Sequence, residues 1–226
     1  RSSDLDLKGY KIIVTAGGTR EPIDPVRFIG NRSSGKQGFA IAAAAAARGA
    51  QVHLVAANTE LPSIEGVVMT HVETAEQMTA VLEIEFPHSN ALIMSAAVAD
   101  AKVKNYTDKK IRKENLETLE LESNTDILNL ISKSKRNNQY VVGFAAETTS
   151  DQVKLEQNAV SKLISKSLDL IYVNDVSNGS VFGSDNTSGL IIDDKQKVIK
   201  VPEISKETLS EILLDQLASK LELTNG

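Results

Sequence analysis

KIIVTAGG, residues 11–18, decides the fold: a short β-branched run, Lys11–Val14, stops at Ala16-Gly17-Gly18 as a core strand ending on a glycine turn. From Gly35 to Arg48 the residues suit an Ala-rich helix, closed by Arg48-Gly49, where a basic last turn meets a Gly able to take positive φ. Similar cycles follow. Strands are expected at 51–56, 67–72, 91–95, 140–145 and 168–173, and helices at 74–85, 125–135 and 151–165, the first of these opened by Thr74 with Gln77 three residues on. Strands apolar almost throughout and separated by single helices require a parallel sheet covered on both faces. The class is therefore α/β, a three-layer α/β/α arrangement around a mostly parallel, Rossmann-like sheet.

Two segments break the rhythm. Residues 102–123 carry Lys109-Lys110-Ile111-Arg112-Lys113 and then an alternating stretch, Leu116 to Glu122, suited to a half-exposed strand, so a projecting β arm or flap is expected. Gly189–Asp193 and Lys197–Val201 flank Asp194-Lys195-Gln196 as a hairpin, followed by an amphipathic helix from Ser205 to about Leu221. No internal repeat is visible, and 226 residues read as one domain, 1–226, with an arm.

Composition narrows the chemistry. A hydrophobic fraction of 41% and 24% charged residues describe an ordinary globular chain. A net charge of −5 gives no broad basic field for a nucleic-acid backbone. With no Cys, thiolate nucleophiles, disulfides and Cys-ligated metals are excluded. The Ala-rich run Phe39–Ala47 is too short for a bilayer, and no leader opens the chain, so a cytoplasmic protein without a membrane partner is expected. Arg1 in place of Met suggests an excised or processed piece.

In an open parallel sheet, ligands sit beyond the carboxyl ends of the strands. Four such places stand out. Gly17 and Gly18 allow close approach of backbone N–H groups to an anion, or make a tight turn. Gly30 to Lys36 matches G-x-x-x-x-G-K, but Gln37 stands where a P-loop needs Ser or Thr for magnesium, and the stretch does not follow the first strand; that assignment is rejected. What remains is Ser33, Ser34 and Gly35 at a helix N-terminus, an anion site or an ordinary Ser cap. Ala96 and Ala97 let a flat ligand pack on backbone, and Asp100 offers a carboxylate to a nucleoside hydroxyl or a hydrated cation, or merely ends a strand. The cations around Lys110 suit triphosphate charge under a closing flap, or a solvated face. Beyond these, Phe144 ends another strand, and Lys162 and Lys166 share one helix face. His53, His71 and His88 show no metal-ligand spacing, and no G-x-S-x-G elbow exists.

Taken in order, Val14 to Asp24, Asn31 to Gly35, Ala96 to Asp100, Lys110 to Lys113, Gly143 to Thr148 and Asn174-Asp175 resemble the phosphopantothenate–cysteine ligase family of coenzyme A biosynthesis, in its bacterial, CTP-dependent form. The resemblance spans essentially the whole chain and implies a ribokinase-like variant of the fold. It implies that 4′-phosphopantothenate is joined to CMP from CTP with release of pyrophosphate, and that cysteine then attacks the acyl-cytidylate. By family position Asn31 and Lys110 are the catalytic residues and Arg27 meets the substrate phosphate. Gly17, Gly18, Ser33, Ser34, Gly35, Ala96, Ala97, Asp100, Asn124, Asp126, Ile127, Phe144, Lys162 and Lys166 form the nucleotide site, with Asp100 also a candidate for Mg2+. A homodimer is implied, with the exposed strand at Leu116–Leu121 as a contact edge, as is fusion to a flavin-dependent phosphopantothenoylcysteine decarboxylase, for which Asp4–Gly9 resembles the junction. Arg112 and Thr125 depart from the family's usual Lys and Pro. A non-catalytic nucleotide-binding module and an NAD(P) oxidoreductase remain as alternatives, the latter weakened by the lack of G-x-G-x-x-G after the first strand.

Overall fold

The structure, a computed structural model, describes residues 5–115, 118–149, 151–176 and 184–225; Asp4 of the junction and Leu116 and Glu117 of the alternating stretch lie outside them. The central strand β1 (Lys11–Gly17) is buried from Ile12 onward. It pairs in parallel with β4 (Gln51–Ala57) on one side and β6 (Ala91–Met94) on the other. Beyond β4 lies β5 (Val68–Val72), and beyond β6 lie β9 (Tyr140–Glu147) and β10 (Leu170–Asp175), all parallel. An antiparallel hairpin, β11 (Asn186–Asp193) and β12 (Val198–Ser205), completes a sheet ordered β12-β11-β10-β9-β6-β1-β4-β5.

Alternation along the strands builds the three layers. Ile12, Val14, Val52, Leu54, Ile93 and Val142 point to one face, where α1 (Lys36–Ala47) and α5 (Lys206–Asn225) cover them. Ile13, Val55, Leu92, Met94, Val141 and Ile171 point to the other, under α2 (Ala75–Glu85), α3 (Ile127–Lys133) and α4 (Gln152–Ser165). The buried face of α1 is Gly38, Phe39, Ile41, Ala42 and Ala45, and the helix lies close at Gly38: a Cβ there would come within 2.5 Å of the Ala16 Cβ. Thr74 caps α2, its hydroxyl accepting the Gln77 amide at 3.2 Å while Gln77 Oε1 accepts from the Glu73 amide at 2.7 Å.

Outside the main sheet stand two small ribbons. Residues after β1 form a hairpin, β2 (Arg20–Pro22) with β3 (Phe28–Gly30), between the Gly17-Gly18 pair and the Ser33–Gly35 stretch, where no strands are expected. The arm is tied at its base by β7 (Ala101–Val103) and β8 (Leu121–Ser123), so the described part of the alternating stretch is strand only from Leu121. Helix α3 begins at Ile127 rather than Thr125, because Asp126 serves as its cap and accepts from the Asn129 amide at 3.1 Å. Among the described residues no helix is long and apolar enough to cross a membrane.

Candidate active site

After β1 the chain places β4 and β5 on one side and then returns to set β6 on the other, so the strand order reverses between β1 and β6. A crevice must open above such a switch point. It is a cavity of about 470 Å³ with three walls: residues 31–38 leading into α1, residues 94–100 after β6, and a side made by residues 124–128, the end of β9 and α4.

The 96–100 wall is held almost entirely by its backbone. Thr15, fully buried, accepts the Ala96 amide at 3.0 Å, and Thr19, also fully buried, accepts the Ala99 amide at 2.9 Å. The Ala97 amide donates to Gly17 O at 2.8 Å, and Ala97 O accepts from the Thr19 amide at 3.1 Å. Asn31 Nδ2 donates to Val98 O at 2.9 Å, and Asn124 Nδ2 donates to Ala99 O at 2.8 Å. Small side chains leave the surface of this strap flat, which suits a planar ligand. Gly35, at φ 77°, turns the first wall into α1, and a Cβ there would meet Thr59 Cγ2 at 2.6 Å. Phe144 closes the third wall, its ring 5.5 Å from that of Tyr172 and tilted by 60°.

Charge in the cavity is predominantly positive. Among the described residues, Arg32, Lys36, Lys162, Lys166 and Lys206 line it against Asp100 and Asp126. Lys162 is held by Glu147 at 2.5 Å, Lys166 by Asp126 at 3.2 Å, and Lys36 by Asp185 at 2.7 Å. Lys206 donates to Ser184 O. Burial pushes its ammonium below the ordinary lysine value, and the neighbouring Lys36 charge adds to the effect. Cations gathered beside the N-termini of α1 and α5 favour a polyanion.

Asn31, Ser33, Ser34, Gly35, Ala96, Ala97, Asp100, Asn124, Asp126, Ile127, Phe144, Lys162 and Lys166 all line this one cavity. Gly17 and Gly18 lie beneath it: the Gly18 amide donates to Ala57 O at 3.1 Å, and a Cβ on Gly17 would stand 1.9 Å from that same oxygen. Gly17 thus serves close packing of β1 on β4, whereas a Cβ on Gly18 would come 2.8 Å from Asn31 O, on the wall of the cavity. Arg27 and Lys110 are outside the lining; Arg27 pairs with Asp24, and Lys110 is exposed on the arm. Lys36 and Lys206 are additions. Lys36 was visible as the lysine of the rejected G-x-x-x-x-G-K match, whereas Lys206 reaches the cavity only by the tertiary placement of α5. Among the described residues no three His, Asp or Glu side chains gather into a metal cage.

Comparison with known proteins places the chain in a family. The chain is 43% identical over 97% of its length to the coenzyme A biosynthesis bifunctional protein CoaBC of Escherichia coli (strain K12), and 40% identical over 96% to that of Mycobacterium tuberculosis (strain ATCC 25618 / H37Rv). It spans 54% of either relative, about half. A crystal structure of the C-terminal domain of CoaBC superposes with a TM-score of 0.82 at 34% identity, covering 97% of this chain and 99% of that one. A Cab2 mutant in complex with phosphopantothenate-cysteine shares the fold, with a TM-score of 0.76 at 16% identity over 96% of this chain and 89% of the other. The sequence pattern of one family matches residues 7–221, almost the entire chain, which therefore belongs to the DNA/pantothenate metabolism flavoprotein C-terminal domain family.

Proposed function

We propose that residues 1–226 form one ligase unit that makes 4′-phosphopantothenoyl-cysteine from 4′-phosphopantothenate, cysteine and CTP. The observation that carries this reading is the convergence of Asn31, Asp100, Phe144, Lys162 and Lys166 on one cationic cavity at the strand switch point. A carboxylate is a poor acyl donor because its leaving group would be oxide. Attack of a carboxylate oxygen on the α-phosphorus of CTP expels pyrophosphate and gives a mixed anhydride. The amine of cysteine then adds to the acyl carbon, CMP departs, and the nitrogen loses a proton.

The flat 96–100 strap and Phe144 suit the base and ribose, and the lysines with the α1 N-terminus suit the phosphates. Asn31 has two N–H donors, one of them given to Val98 O, so a second remains for an acyl oxygen that gains charge. Asp100 and Asp126 fit a Mg2+ ion that arrives with phosphates, since that ion is held by one or two carboxylates plus substrate oxygens; it would neutralise charge on the departing pyrophosphate. Lys110 on the arm would approach the same charge, and Arg27 the phosphate of phosphopantothenate, at a site shared with a second copy in a homodimer. A fused decarboxylase would consume the product.

Purified chain incubated with CTP, phosphopantothenate, cysteine and magnesium should release pyrophosphate and form the amide. Release no greater than in a control without phosphopantothenate overturns the reading.

A further inference from the structure

Far along the chain from the arm, Asp24 sits in the turn of the β2–β3 hairpin and is only 2% exposed. Its two carboxylate oxygens have separate duties. Oδ1 accepts the amides of Val26 and Arg27, both at 2.9 Å, which is all that a local Asx turn requires. Oδ2 accepts from Arg27 Nε at 3.0 Å, from Arg27 Nη2, and from the amide of Ile111 at 3.1 Å. Arg27 Nη2 then donates to Ile111 O at 2.8 Å. Thus the N–H and the carbonyl of one arm residue are both taken by a hairpin ion pair. That residue lies between Lys110 and Arg112, the centre of the basic segment. The guanidinium beside Asp24 holds its carboxyl well below the usual carboxylate range, so the grip is charged at every physiological pH.

We propose that Asp24 is a positioning residue for the ligase reaction: through Oδ2 it clamps Ile111 and so sets where Lys110 and Arg112 stand. The proposal rests on the ligase reading for the task of Lys110, but the clamp itself is a statement about Ile111 that can be checked without turnover. Chain entropy explains the need. Within the arm, the four cations of residues 109–113 crowd against one another and, unclamped, sample many poses, and a misplaced cation contributes little to a transition state.

Asp24→Asn separates the two duties. Asn can still accept at Oδ1, but its Nδ2 presents donors to the Arg27 guanidinium and the Ile111 amide. Hydrogen exchange read by mass spectrometry on the full chain without nucleotide should show the Ile111 amide protected in the wild type and at least about tenfold faster in Asp24→Asn. The kcat for pyrophosphate release should fall about ten- to a hundredfold, with a smaller change in KM for CTP. Ile111→Pro deletes the clamped amide from the arm side and leaves the hairpin intact; it should reproduce the kcat loss, and it decides the matter should Asp24→Asn fail to fold. Unchanged protection of Ile111 in Asp24→Asn removes the clamp. Lost protection with unchanged kcat removes the positioning role. A protected Ile111 in a wild-type chain that releases no pyrophosphate leaves the clamp standing and removes the ligase reading instead.

Discussion

Lys162 donates to Glu147 Oε1 at 2.5 Å while Asn158 Nδ2 donates to the other carboxylate oxygen at 3.0 Å, so the cation on the cavity wall is held by a carboxylate that is itself held. The Lys162 hydrogen bond, then that of Asn158, keep the Glu147 carboxyl below its ordinary value of 4.5 against the opposing effect of burial. A depressed carboxylate pKa means stabilisation that is complete above that ordinary value and is lost as pH falls through the folded-state value. With the lysine side chain 43% exposed, the pair is worth less than about 1 kcal/mol. Glu147→Gln should therefore flatten the acid limb of the melting curve slightly. Its larger effect should be on binding: initial-rate measurements should show KM for CTP raised about three- to tenfold with kcat nearly unchanged.

Arg48, at the C-terminal end of α1, is a second such junction. It joins Asp6 of the N-terminal segment through Nε at 2.9 Å and through Nη2, and reaches Asp215 at 2.9 Å and Glu211 at 3.2 Å on α5. Arg48→Met leaves three carboxylates near one another and should lower the unfolding free energy by about 2 kcal/mol in urea titrations at pH 7. Arg48 also holds Asp6 below its ordinary value of 3.8. The sign is that of Glu147, so the difference between variant and wild type should shrink as pH falls below that value. A difference that persists undiminished at pH 3 would mean that packing of the arginine stem, not charge, is what the mutation removes.

Much of this architecture was legible because buried parallel strands write a local signal. Ile12 and Val14 against Ile13, or Val52 and Leu54 against Val55, alternate between two cores, and α2 is announced by its cap, Thr74. The β2–β3 hairpin was not legible. Its strands are three residues long, with Phe28 half exposed under the Arg20 guanidinium, and the second oxygen of its Asp24 carboxylate is taken by a residue 87 positions away. The glycines at 17 and 18 had the same ambiguity, because close packing and anion binding select for the same missing Cβ; the Ala57 carbonyl accounts for Gly17 by packing, while Gly18 abuts Asn31 O on the cavity wall. Most of the site lining was legible through loops at strand ends. Lys206 was not, because the first residue of a C-terminal helix says nothing of the distant cavity that it closes.

Gly38 links packing to the site. A Cβ there would lie 2.5 Å from Ala16 Cβ, 2.8 Å from Thr15 O and 2.9 Å from Ser95 Oγ, and the first two belong to the central strand, which cannot shift cheaply. Gly38→Ala raises intrinsic helix propensity by about 1 kcal/mol, yet overpacking a filled interface costs about 1–3 kcal/mol. The net should be a loss of stability in thermal melts, and because α1 must lift at its N-terminus, Ser33 to Gly35 move with it. KM for CTP should rise. An Ala variant as stable as the wild type would show that α1 can slide along β1 without cost.

Asn31 offers the sharpest chemical test, because its amide already has one partner. Nδ2 donates to Val98 O at 2.9 Å, which aims the side chain at the 96–100 strap. Asn31→Asp keeps the shape but sets a carboxylate oxygen against that carbonyl and removes the remaining N–H donor from the acyl oxygen. Formation of the cytidylate, in which charge develops at phosphorus, should continue. Conversion by cysteine, in which charge develops on the acyl oxygen, should slow about a hundred- to a thousandfold, the usual effect of losing one such donor. Rapid-quench analysis should then show a burst of pyrophosphate close to one per site, an acyl-cytidylate that persists, and little amide. Amide formation at the wild-type rate would remove Asn31 from the second step, and loss of the burst would move its role to the first.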